Sequence, residues 1–435
     1  MVATGWSPQP LIFLLCFSSF TFIVVLGQRE VPSALVSLSN MTDQLALMSF
    51  KFRVTKDPYN VLSNWNSNIS FCDWNGVSCS RGSQRVVALN LSEKALEGTL
   101  SPYISNLSIL EVLVSIDFSR LPWLEILSIG LNHFQWLIPQ TLSHCHHHQV
   151  LFAEKNECYR SIPELLGSLL ELKCINLYGN RLTGTIPITF VNLSKLEFLN
   201  IGQNHMHRNI PSELGSLTHV TLFSVEMNNL TGTLPESLFN ISTLQILSFM
   251  TNELTGHLPK DVGRFLPNVQ FLAMSDNNFD GPFPPSFYNA TSLQTITDTT
   301  QALLPQTQCN SELSIFTSFT NCRLLEEVIL SQSLVNGILP AFVGNLTTTL
   351  WRLYLYSNLL ALNNNLLEGP IPLSIYQLVR ISINNHTSLQ GLDLSSNNLS
   401  STLPPGLCEL KDLWELYLQD NSCTDHLPLG LGIFP

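Results

Sequence analysis

Apolar residues recur along the chain in one repeated line, L-x-x-L-x-L-x-x-N. Leu196, Leu199, Ile201 and Asn204 spell it in one turn, and Leu389, Leu392, Leu394 and Asn397 in another. The asparagines set the period. Asn132, Asn156, Asn180, Asn204, Asn228 and Asn252 stand 24 residues apart, Asn277 follows after 25, and Asn397 and Asn421 are again 24 apart. Downstream of the Asn comes x-L-x-G-x-I-P, complete in Leu182, Gly184, Ile186 and Pro187, and then an x-x-L-x-x-L return carried by Phe190, Leu193 and Leu196. The alternating L-x-L predicts a short strand with one face inward. A period of this length predicts a stack of like turns whose strands pair in parallel at ~4.8 Å. The Asn side chain is placed to satisfy backbone groups at the bend after each strand, Asn above Asn in a ladder. The Gly permits a backbone conformation that a side chain would penalise, and the Pro fixes the next bend.

The pattern decays in places. The Gly position holds Trp136, Arg160, Arg208, Ser401 and Asp425; Cys158 and Cys423 replace the Leu two residues after the Asn; His148 replaces the first Leu of its turn; Asp298 sits at a core position. The step from Lys94 to Asn132 is 38, so one turn has lost about ten residues near Ile116–Pro122, and about seven are inserted near Asn358–Asn365. An acid facing the core is costly unless paired, and stacked repeats pass damage to their neighbours. The array is therefore expected to loosen near residues 111–123 and 296–325.

Together the repeats resemble the plant form of the leucine-rich repeat, with G-x-I-P in each turn. Upstream, Asp43-Gln-Leu-Ala-Leu47 opens an apparent helix, Leu62-Ser-Asn-Trp-Asn66 follows, and Phe71-Cys-Asp-Trp-Asn-Gly-Val-Ser-Cys79 closes the segment. This piece is similar to the N-terminal cap of plant leucine-rich-repeat receptor-like kinases, a resemblance that covers about Met41 to Leu427 and implies a Cys72–Cys79 disulfide. The step of 32 from Gln301 to Ser333, with Ser311–Cys322 inside it, resembles an extended repeat of the branch containing the bacterial EF-Tu receptor and related immune receptor kinases. The implied fold is an α/β repeat, a right-handed leucine-rich-repeat solenoid with short parallel strands on its concave face. Residues 1–27 read as a signal peptide, 28–84 as the cap, and 85–435 as about 12–13 repeats, degenerate near 111–123, 296–325 and 358–365.

The signal reading rests on Leu11–Leu26, a short apolar run ending at Val25-Leu26-Gly27 and too short for the ~20 residues that span a bilayer. Of ten cysteines Cys16 lies in that run, leaving an odd number; Cys158–Cys174 and Cys408–Cys423 are possible further pairs, and a free buried thiol is the alternative at Cys408. Eleven Asn-x-Ser/Thr sequons fit an extracellular glycoprotein: Asn40, Asn68, Asn90, Asn106, Asn192, Asn229, Asn240, Asn289, Asn345, Asn385 and Asn398. Hydrophobic residues make up 45% and charged ones 12%, which argues against disorder, and a net charge of −12 offers no field for nucleic acid.

Chemistry is sparse. Ser143–Gln149 reads SHCHHHQ, but adjacent histidines converge poorly on one ion, and the stretch reads as a polar loop with Cys145 buried rather than a metal site. No protease, hydrolase, P-loop or dinucleotide motif is present, and no H-R-D or D-F-G triplet marks a kinase. No cofactor and no catalytic residue is implied. Nor does an apolar run long enough for a transmembrane helix follow the leader; the chain stops one turn after Asn421 without a cysteine-bearing cap, which reads as truncation.

Strand parity assigns Tyr178, Gln203, Glu226, Met250, Asp276, Tyr354, Tyr356 and Tyr417 to the outward strand face as candidate ligand contacts. The resemblance implies an extracellular ligand-sensing region that binds a peptide or microbial protein and recruits a co-receptor leucine-rich-repeat kinase, reaching the membrane only through a segment outside this chain. The alternatives are a secreted leucine-rich-repeat inhibitor of microbial cell-wall-degrading enzymes, or a truncated, non-functional receptor copy.

Overall fold

The computed structural model describes residues 40–99, 118–280, 283–298, 314–330, 336–347, 349–356, 366–379, 389–405, 407, 410 and 412–424. Among them, fourteen short strands form one sheet along the length of the array. The first pair, Val77–Cys79 with Val86–Asn90, is antiparallel, and each later pair is parallel in a constant register. Phe198 lies between Cys174 and Leu222, and Leu199 between Ile175 and Phe223. The inward residue of each strand is buried: Leu127, Leu151, Ile175, Leu199, Phe223, Leu247 and Leu272. One turn has no second layer to bury its own leucines, so stacking supplies the core, and each fully buried side chain contributes roughly 1.5–3 kcal/mol.

The return path opens at proline. Pro163, Pro187, Pro211, Pro235 and Pro284 each precede a single turn of 3-10 helix, as in Ile188–Asn192, whose Phe190 is buried with Leu193 and Leu196. Between strand and return, a second set of short strands forms lateral sheets. Among the described residues these divide into one of nine strands, ending at Asn278–Phe279, and one of four, from Asn336–Ile338 to Ser422–Cys423.

The Asn ladder works through the main chain. Asn180 donates from Nδ2 to Ala153 O at 3.0 Å and to Leu177 O at 3.0 Å, while its Oδ1 accepts from the Cys158 N–H at 2.9 Å. Asn204 repeats the arrangement on Leu177 O, Ile201 O and the Leu182 N–H. Asn132, Asn156, Asn228, Asn252 and Asn277 do likewise, as do Asn397 and Asn421 beyond the irregular region. The rungs therefore join through the backbone of the preceding turn and not through direct Asn–Asn bonds.

At the N-terminus the helix Asn40–Arg53 closes the open end. Its buried Asp43 takes a two-point contact from Arg85 at 2.9 and 2.7 Å and accepts the Val86 N–H at 2.8 Å. Trp65 stacks on Trp74 at 5.2 Å, and Cys72 is bridged to Cys79 with Cα atoms 5.5 Å apart. Cys145, Cys158, Cys174, Cys322 and Cys423 stand outside any disulfide, so the Cys158–Cys174 pairing does not form: Cys158 lies in the core and Cys174 in the separate apolar cluster of the strand face.

The strand sheet runs on across both irregular steps. Ala88 pairs directly with Ile126, and Thr295 directly with Glu327. The extended repeat contributes the helix Ser314–Phe319, with Phe316, Phe319 and Cys322 buried. Residues 1–39, 100–117, 299–313, 357–365 and 425–435, which include the leader, most of the loosened stretches and the C-terminal end, lie outside the described residues, as does the Asp298 side chain. Where the repeat Gly is missing, two answers appear. Arg160 (φ 65°) and Arg208 (φ 70°) keep the left-handed backbone that Gly184 (83°) and Gly232 (80°) adopt, whereas Trp136 turns into the core. Among the described residues no helix is long and apolar enough to cross a membrane.

Candidate functional site

Outward strand positions form two surfaces of different chemistry. Over the first turns, the residue before each inward leucine is apolar: Ile126, Val150, Cys174, Phe198, Leu222, Ile246 and Phe271 stack in register into a hydrophobic ladder separate from the core, with Phe152 packed on Phe198. Its middle is packed tightly, Val150, Cys174, Phe198, Leu222 and Ile246 being buried and only Ile126 and Phe271 at its ends half-buried. Beyond Thr295 the same column becomes Glu327, Arg352, Gly391 and Glu415, each paired with the next along the sheet.

In that charged part, Arg352 Nη1 lies 3.1 Å from Glu327 Oε1, and the two side chains are almost wholly buried. The guanidinium also sits 4.0 Å above the Trp351 ring and 5.8 Å from the Tyr354 ring. Burial pushes the Glu327 carboxyl above its ordinary range, and the hydrogen bond and charge of Arg352 pull against that. Gly391 makes the arrangement possible. A Cβ there would come within 2.8 Å of the Tyr354 hydroxyl, so its absence lets the phenol reach across one strand and donate to Glu415 Oε2. Burial, and then that bond to an acid, push the Tyr354 pKa up. Asp393 is also raised by burial, against hydrogen bonds from the Ser395 N–H and hydroxyl.

Two further acids interrupt the apolar part. Glu226 accepts a hydrogen bond from Ser248, and Glu154 has one buried carboxylate oxygen with no hydrogen-bond partner. Burial raises both above the usual carboxylate range.

Of the residues that parity placed on this face, Gln203, Asp276 and Tyr417 are exposed and Glu226 and Tyr356 half-buried. Three are corrected. Tyr178 is 1% exposed, Met250 8% and Tyr354 7%. Parity gives the face but not the covering by neighbours: Tyr178 lies over Gly202 of the next turn and Tyr354 over Gly391. Parity alone also passes over Glu327, Arg352, Trp351, Trp414 and Glu415. The signal that finds all of these but Glu327 is a duplicated hexapeptide, Leu350-Trp-Arg-Leu-Tyr-Leu355 and Leu413-Trp-Glu-Leu-Tyr-Leu418.

Away from this face, the SHCHHHQ residues diverge. His148 is buried with Nδ1 3.0 Å from Leu124 O, Cys145 is buried, and His147 stacks on Trp123 at 5.0 Å. Among the described residues no three His, Cys, Asp or Glu side chains group as a metal site would need. An open cleft of about 480 Å³ lies off the strand face between Ile186, Ile188, Arg208 and Pro211, and its Glu164 carboxylate is taken by the Thr189 side chain.

Comparison with known proteins places the architecture. Residues 40–80 match the leucine rich repeat N-terminal domain, and residues 171–193, 268–290 and 388–410 match the leucine rich repeat. The LRR receptor-like serine/threonine-protein kinase EFR of Arabidopsis thaliana is 39% identical over 110 residues, which is 25% of this chain and 10% of that protein. The crystal structure of PEPR1–AtPEP1 superposes with a TM-score of 0.67 at 27% identity, over 90% of this chain and 53% of that one. The Arabidopsis thaliana GASSHO1/SCHENGEN3 ectodomain, solved with CASPARIAN STRIP INTEGRITY FACTOR 2, gives 0.51 at 26% identity, over 90% and 57%. The chain thus spans about half the length of the solved structures it resembles, and its match a tenth of its kinase relative.

Proposed function

We propose that this leucine-rich-repeat solenoid is the extracellular ligand-recognition region of a plant receptor-like serine/threonine kinase, of the kind that includes the EF-Tu receptor, and that it reads a peptide or microbial protein on its strand face. Recognition is then the whole of its chemistry. Phosphotransfer belongs to a kinase segment outside this chain, the membrane is reached through that same remainder, and a co-receptor leucine-rich-repeat kinase docks at the edge once ligand is bound.

The observation that carries the reading is a long strand face, mixed in apolar and charged chemistry, on which Gln203, Asp276, Trp414 and Tyr417 are exposed. An interface needs both an apolar patch to dehydrate and fixed polar groups to orient the partner. Sequon placement supports it. Asn192, Asn240 and Asn289 end 3-10 turns on the return side, and Asn229 and Asn398 open lateral strands, all exposed. Of the sequons among the described residues, Asn90 alone, at the cap end, belongs to the strand sheet. Glycans on these sites would leave the middle of the strand face clear.

The test is titration of the secreted, glycosylated chain against synthetic peptides drawn from microbial surface proteins and secreted plant peptides, with polygalacturonase as the competing target. Submicromolar binding of a peptide, with no inhibition of the enzyme, is the expected result. Inhibition of polygalacturonase without peptide binding would transfer the chain to the secreted-inhibitor reading.

A further inference from the structure

The duplicated hexapeptide repeats one sequence with one residue changed, on strands with different neighbours. In Leu350–Leu355 the central residue is Arg352. Its guanidinium stacks on Trp351, faces Tyr354 and pairs with Glu327 from the neighbouring strand. That residue thus fills an aromatic and acidic seat with the protein's own cation. Two strands on in the same sheet, Leu413–Leu418 presents Trp414 and Tyr417 again, but with Glu415 at the centre.

No cation among the described residues lies over the Trp414 ring. Trp414 is 81% exposed and Tyr417 44%, a large apolar area to leave in water beside a carboxylate. The Tyr354 hydroxyl engages Oε2 of Glu415 and fixes the carboxylate, while Oε1 accepts no hydrogen bond from any described residue. Arg352 neutralises Glu327, which leaves Asp393 and Glu415, on adjacent strands, as acids without an ion-pair partner among the described residues. An indole face, a phenol and an oriented carboxylate make a seat for a planar cation.

We propose that Trp414, Tyr417 and Glu415 form the anchor for an arginine of the ligand, with Glu415, at the register position Arg352 fills in the first copy, supplying the countercharge. The inference rests on the peptide-recognition reading and adds the ligand's chemistry. Five strand spacings separate Phe271 from Glu415 in the sheet order, or about 24 Å at ~4.8 Å each, which about seven residues of extended peptide would cross. The ligand is then a peptide with an apolar segment on the ladder and an arginine about seven residues away.

The experiment is selection of a random peptide library on the full chain, followed by calorimetry of the enriched peptides with wild type, Trp414→Ala and Glu415→Arg. Glu415→Arg removes the carboxylate and puts a cation at the position Arg352 fills in the first copy. Both changes lie on exposed or half-exposed side chains, and the melting temperature of each variant checks that folding is kept. Enriched peptides should carry an arginine at about that spacing from an apolar run. Each variant should weaken binding about tenfold or more, and replacing the peptide arginine by citrulline should do the same. Enriched peptides without arginine, full affinity for Glu415→Arg, or equal binding when lysine replaces the arginine would overturn the anchor while leaving peptide recognition intact. Failure of the library to yield any binder would instead remove the recognition reading, and the anchor with it.

Discussion

Single side chains here act on backbone groups that have nowhere else to go. Asn180 satisfies the Cys158 N–H and the Ala153 carbonyl of the preceding turn, both shut away from water. Asn180→Ala should therefore cost about 1–3 kcal/mol in chemical denaturation; an unchanged midpoint would show that the ladder bonds are replaceable. Arg208 is the converse case, a side chain where the backbone wants none. Its φ of 70° matches that of the repeat glycines, so Arg208→Gly should stabilise the chain by roughly 0.5–1 kcal/mol, strain relief outweighing the extra freedom of the unfolded glycine. His148 carries a pH signature. Burial lowers its pKa to about 4, against the raising effect of its bond to Leu124 O. A group whose folded pKa is depressed in this way is neutral and harmless above the unfolded value of ~6.5, and the folded state loses stability as pH falls from there towards 4, by up to roughly 3 kcal/mol. His148→Leu should flatten the melting temperature between pH 6.5 and 4, and a slope as steep as wild type would place the acid sensitivity elsewhere.

At the scale of elements, the cap adds a buried ion pair to its apolar packing and its disulfide. The Asp43 carboxylate is buried beneath the Asn40–Arg53 helix with Arg85 as its countercharge. Arg85→Met would strand a buried anion, at a cost of about 3–5 kcal/mol, read as early release of the helix in limited proteolysis; Asp43→Asn with Arg85→Met should recover part of it. What the sequence discloses divides at the single turn. Period and parity expose the strands, the returns and the ladder, because each rests on spacing within one turn. They miss how deeply Tyr178 and Tyr354 are covered, because the gaps that receive them, at Gly202 and Gly391, lie one turn further along. They also miss the pairing of Arg352 with Glu327, whose partners are 25 residues apart in sequence yet face each other across one strand spacing. Burial and charge pairing across turns are properties of the stack, and a single repeat does not display them.

For the whole molecule, stability is close to a sum over turn–turn interfaces, so the weakest interface decides where it opens. The strand sheet crosses the extended repeat without a break, Thr295 on Glu327 and Ile296 on Val328. The described lateral strands do not follow it: the nine-stranded sheet ends at Phe279 and the four-stranded sheet begins at Asn336. At this junction the stack is joined on one side by strand pairing, on the other by the Ser314–Phe319 helix packed on the Pro285–Asn289 turn, and it carries the buried acid Glu327. The block before it has the cap, the longer lateral sheet and the apolar ladder. The block after it has the charged cluster and the arginine seat. Local opening is drawn from the less densely bonded end, so hydrogen exchange on the full chain should find strand amides from Leu127 to Ala273 more protected than those from Val328 to Leu416, with the step between Ile296 and Val328. Peptide bound across both blocks should raise protection most in the second, because that is where ordering is still to be gained. Uniform protection in the free chain, or a gradient that falls towards the cap, would mean the extended repeat is no seam at all.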